Sequence, residues 1–136
     1  MEEQRPSSTA LAAAMFRAAH LLLDVPPKIF EDTLALRLCG CENEGALRVQ
    51  LDRLAEEIAR RTNPDFARIA LRYLRAVVVM RSRYVEDKVD QAIRRGVTQY
   101  VILGAGLARS GRYRCLRIRS ENPGLGCFCA KAGQNW

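Results

Sequence analysis

Apolar residues recur at helical intervals along most of the chain. Leu11, Met15, Ala18 and Leu22 fall at such a spacing, behind Ser7, Ser8 and Thr9, whose hydroxyls suit a helix start. Pro26 and Pro27 close that element. Phe30, Leu34 and Leu38 predict a short second helix stopped by Gly40, and Leu47, Leu51, Leu54 and Ile58 a third. Asn63 followed by Pro64 has the form of a cap and a first helical residue, leading into Phe66, Ile69, Tyr73, Val77 and Met80. Val85, Val89, Ala92 and Ile93 mark one more stripe, closed by Gly96.

The pattern then changes period. Residues 97–103, Val-Thr-Gln-Tyr-Val-Ile-Leu, are rich in β-branched and aromatic types and predict a buried strand. Gly104-Ala105-Gly106 follows at once. A strand ending in Gly-x-Gly turns sharply and lets the main chain come close to a ligand. The full dinucleotide fingerprint fails, because its third glycine would fall at Arg109. By itself the turn is compatible with no ligand at all.

With 136 residues the chain suits one domain. No apolar run approaches the ~18 residues of a membrane helix. The polar start MEEQRPSS lacks the basic and apolar segments of a secretory signal. A cytoplasmic location is expected, with no membrane partner.

Charge separates the chain into two parts. Residues 1–106 hold 16 Lys and Arg against 14 Asp and Glu, while residues 107–136 hold 6 against Glu121 alone. The basic tail admits an alternative reading as a small basic helical nucleic-acid-binding module. Without interleaved aromatics or a reading motif that alternative is disfavoured. The cysteines, Cys39, Cys41, Cys115, Cys127 and Cys129, include two pairs at C-x-C spacing. That is tighter than zinc pairs usually use, so reduced, partly buried thiols are expected and no metal site. The one histidine, His20, sits on a mostly apolar helix with nothing evident to orient it, and is read as a packed or surface residue.

Two long blocks carry a more specific signal. "RPSSTALAAAMFRAAHLLLDVPPKIFEDTLALRL" and "RSRYVEDKVDQAIRRGVTQYVILGAGL" resemble the N-terminal block and central signature of a bacterial family of S-adenosylmethionine (SAM)-dependent methyltransferases, similar to leucine carboxyl methyltransferases and polyketide O-methyltransferases. The resemblance covers residues 5–38 and 81–107. It implies an α/β fold: an N-terminal helical cap plus the first strand and glycine turn of a Rossmann-like class I methyltransferase, truncated. It divides the chain into a helical cap over 1–80, the start of a SAM-binding unit over 81–106, and a divergent basic tail over 107–136. It implies SAM as cofactor, methyl transfer to an oxygen of a small-molecule or carboxylate acceptor, and a transferase of the EC 2.1.1 type.

The resemblance also implies roles. Gly104, Ala105 and Gly106 would line the SAM pocket. Arg83 would pair with the SAM carboxylate, a task that a guanidinium performs with two parallel donors. Arg81 is a weaker candidate. The competing reading leaves both arginines as solvated charges near a helix start, where the helix dipole would mildly oppose them. The hydroxyls of Ser7, Ser8 and Thr9, with Arg5, stand where the family brings its cap over the cofactor, although simple capping explains them better. No catalytic residue is assigned.

The chain departs from the family after Leu107. Family members continue with an acid and then an aromatic-containing stretch; here Ala108 is followed by Arg-Ser-Gly-Arg-Tyr-Arg. The ribose-binding carboxylate expected about 20 residues after the glycines would fall near Phe128 and Cys129, neither of which is acidic. An out-of-frame or truncated C-terminus is one expectation, a diverged basic one the other. With one strand in place of a full sheet, the fragment is expected to be a helical assembly, inactive alone and prone to self-association.

Overall fold

The computed structural model describes residues 7–97, 99–103, 114–118 and 127–131, with side chains described within 7–97. Four helices dominate: α1 (Ser8–Leu23), α2 (Ala35–Leu38), α3 (Glu44–Arg61) and α4 (Pro64–Arg94). Each long helix starts on a polar cap that satisfies an otherwise orphan backbone donor. Ser7 Oγ accepts from the Ala10 amide at 3.2 Å, Asn43 Oδ1 from Ala46 at 2.9 Å, and Asn63 Oδ1 from Phe66 at 2.8 Å. Pro64 then opens α4 at no cost, since its missing N–H would have been unpaired there.

Glycine ends two of the helices. Gly40 and Gly96 have φ of +76° and +87°, a region that a side chain disfavours. After α4, Gly96 N–H donates to Ile93 O at 2.9 Å and Val97 N–H to Ala92 O at 3.1 Å. After α2, Gly40 N–H donates to Arg37 O and Cys41 N–H to Leu36 O. Both are the doubly bonded glycine stop that uses up the last carbonyls.

The core lies where α1 meets α2 and α3. Ala14, Met15, Ala18 and Ala19 of α1 pack with Ala35, Cys39, Cys41 and Leu47. Small residues on α1 let the other elements approach closely, and residues 14–20 are buried without interruption. The ends of the expected stripe behave differently, with Leu11 and Leu22 exposed. α4 packs on α1 and α3. It joins the two stripes read on either side of residue 80 into one uninterrupted helix, so the 80/81 division falls inside it.

The expected fold class is overturned. β1 (Gln99–Leu103), β2 (Arg114–Ile118) and β3 (Cys127–Lys131) pair in the order β1-β3-β2, and both pairings are antiparallel. Gln99 stands opposite Lys131 and Leu103 opposite Cys127; Arg114 and Ile118 face the same two residues from the other side. The first strand of a Rossmann-like sheet takes parallel neighbours through crossovers of a dozen or more residues. Here ten residues separate β1 from β2 and eight separate β2 from β3, too few for helical crossovers. The described residues form a helical assembly with a small antiparallel ribbon, and no parallel pairing occurs among them.

Candidate functional site

Of the four expected cofactor contacts, only Arg83 is described; Gly104, Ala105 and Gly106 lie outside the described residues. Arg83 is in the interior of α4, far from either end. The helix-dipole argument against a merely solvated Arg83 therefore lapses, since that field fades within the first turn. One guanidinium nitrogen meets Asp87 Oδ1 at 2.9 Å, one helical turn on, with both side chains about half exposed. The Asp87 carboxylate pushes the arginine's pKa up. Arg81 is also exposed on α4.

Asp87 shows that Arg83 can hold a carboxylate, which is the donor chemistry that SAM would require. The setting is less suited. Asp87 already occupies part of the fork, the side chain is half open to water, and no other candidate contact stands beside it among the described residues. With only Arg83 of the four described, no reaction step follows from them.

A second cluster went unseen in the sequence. His20 Nδ1 is 2.7 Å from Asp24 Oδ2, with the imidazole buried. Asp24 caps the C-terminus of α1, and its other oxygen receives Arg75 of α4 at 3.1 Å. Lys28 donates to the His20 carbonyl at 2.9 Å and also to the Asp24 carbonyl, placing its charge at the negative end of α1. The expectation that nothing would orient His20 is corrected: Asp24, four residues on, lies on the same helix face. The i,i+4 spacing was the available signal. In the neutral ring, Nδ1–H donated to Asp24 leaves Nε2 as a bare acceptor. Nε2 is buried and has no hydrogen-bond partner among the described residues.

Two further buried groups are structural. Arg17 pairs with Asp32, whose Oδ1 also accepts from the Leu34 amide at 3.1 Å. Cys39 and Cys41 are free thiols, both buried. Burial first, then the neighbouring Cys41, pushes the Cys39 thiol up to about 11, the reverse of what a reactive or metal-binding thiolate needs. The described residues contain no group of three or more histidine, cysteine or acidic side chains placed to hold a metal, and no helix long and apolar enough to cross a membrane.

Comparison with known proteins places the chain. Residues 10–121 match the family model for leucine carboxyl methyltransferase. A Frankia alni protein, provisionally named an S-adenosyl-L-methionine-dependent methyltransferase, is 32% identical over 100 residues. That alignment covers 74% of this chain and 31% of the relative, so the chain spans about a third of the curated relative it matches. No solved structure matches. The family's cofactor is S-adenosylmethionine. The two sequence blocks, the capped helices that carry them and the match over most of the chain lead to one assignment: this chain belongs to the leucine carboxyl methyltransferase family.

Proposed function

We propose that this chain is the N-terminal portion of a SAM-dependent methyltransferase that moves a methyl group to an oxygen, a carboxylate or hydroxyl, of a small-molecule acceptor in the cytoplasm. The observation that carries this reading is the family match over residues 10–121. Arg83 pairs with the cofactor carboxylate in exchange for Asp87, and Gly104, Ala105 and Gly106 line the pocket. Such an enzyme works mainly by aligning donor and acceptor. The near balance of charge over residues 1–106 gives no reason to add a nucleic-acid partner.

The same reading makes the chain alone inactive. The acid after Leu107 and the ribose carboxylate are both missing from the sequence, and alignment fails when one wall of a site is lost. Purified chain incubated with radiolabelled SAM and an extract rich in acceptors should transfer no label above a heat-killed control; transfer would overturn the fragment reading. In a full-length relative carrying the same arginine, replacing it with alanine should weaken SAM binding by ~1.5–3 kcal/mol, the scale of a charged hydrogen bond. An unchanged dissociation constant would remove Arg83 from the site.

A further inference from the structure

α4 is apolar on two opposite faces. One face, which includes the fully buried Ala67 and Val79, packs within the helical assembly. The other carries Phe66, Ile69, Tyr73, Ala76 and Met80, at intervals of three, four, three and four residues, and continues to Tyr84. All six are exposed, with Phe66 at 52%, Tyr73 at 67%, and Ile69, Met80 and Tyr84 at 62%. An alternating three–four spacing is the seam of a helix that packs lengthwise against another helix. A contiguous apolar row of this kind on a soluble surface marks a contact site.

The charges beside the seam indicate the occupant. Asp65 and Arg83 are eighteen residues apart, which is five helical turns at 3.6 residues each, so both lie on one flank of the seam, about 27 Å apart. Both side chains are exposed. Consider a second α4 running antiparallel, related by a twofold axis that passes between the two helices, perpendicular to both and level with Leu74. Asp65 of each copy then meets Arg83 of the other, while Phe66 enters the gap between Met80 and Tyr84. A parallel pair would instead carry the two copies of each residue to opposite sides of the seam, and would bring no Asp65 to an Arg83. Arg68 and Asp87, the existing partners of Asp65 and Arg83, would remain within reach and extend each bridge into a network. Arg72, on the same flank near the axis, faces its own copy and opposes association. The seam is also short, under three heptads.

We propose that the outer face of α4 is a self-complementary surface on which, while no cofactor engages Arg83, a second copy of this chain docks antiparallel, giving a dimer that dissociates on dilution. Sedimentation of the whole chain over roughly a hundredfold range of concentration should show a monomer–dimer equilibrium. Ile69→Glu with Met80→Glu alters only exposed positions and should give a monomer with undiminished helical circular dichroism. Asp65→Arg should raise the dissociation constant roughly tenfold by placing like charges together, and adding Arg83→Asp should restore it. A chain monomeric at every concentration, with the seam covered by another segment, would overturn the proposal. So would a dimer indifferent to the glutamates, or an Asp65→Arg effect that Arg83→Asp does not reverse.

Discussion

Arg17 Nε lies 2.9 Å from Asp32 Oδ2, with side chains only 7% and 3% exposed, and this contact ties the middle of α1 to the turn before α2. A buried pair of this kind contributes little compared with an apolar replacement, but losing one partner strands the other charge. Asp32→Ala should therefore destabilise the fold by about 3–5 kcal/mol, and Arg17→Met combined with Asp32→Leu should recover most of the loss. Urea denaturation of the three chains measures both; a small effect of the single change would show that water reaches Arg17.

Asp24 holds His20 on its own helix and Arg75 on α4. Asp24→Ala removes both bonds and leaves His20 Nδ1 without its partner. The expected cost is about 1–2 kcal/mol, toward the lower end for charged hydrogen bonds because Asp24 is partly exposed. Arg75→Ala should cost less, since it leaves the His20–Asp24 bond in place. Thermal unfolding that ranks the two variants the other way would put the stabilising contact on Arg75.

The Cys39 thiol is raised from 9.0 to about 11, so the folded chain binds its proton more tightly than the unfolded chain. The stability this contributes is fully present below pH 9 and is lost as pH rises toward 11. Cys39→Ala should flatten the decline of stability across that window. At neutral pH the buried thiol should react with maleimide only at the rate of unfolding, which mass mapping of the Cys39 peptide would show. Rapid labelling in the native state would mean that the thiol is reachable.

Asn43 and Asn63 each cap a long helix through one side-chain oxygen. Replacing either with alanine should cost about 1 kcal/mol and replacing it with glycine only a few tenths. Equal costs for alanine and glycine in chemical denaturation would remove the capping bond as the cause.

Local chemistry was legible in the residues. Ser7, Asn43 and Asn63 start helices because a short polar side chain reaches its own backbone two or three residues on, and Gly40 and Gly96 stop them because only glycine turns left-handed without penalty. Neither device needs anything distant, and the two blocks that place the chain in its family are likewise read along the sequence. What required the tertiary structure is everything that depends on a second element. The sequence marks Leu11, Phe66 and Ile69 as apolar but cannot assign them a partner; packing leaves all three at the surface while sealing Arg17 and His20 inside. The stripes on either side of residue 80 fuse into one α4 because nothing between them interrupts the backbone ladder. The run at 99–103 has the composition of a strand, yet its neighbour and direction were decided by β3, which follows after twenty-three intervening residues. Strand pairing and burial are relations between distant segments, and they exist only once the chain has folded around them.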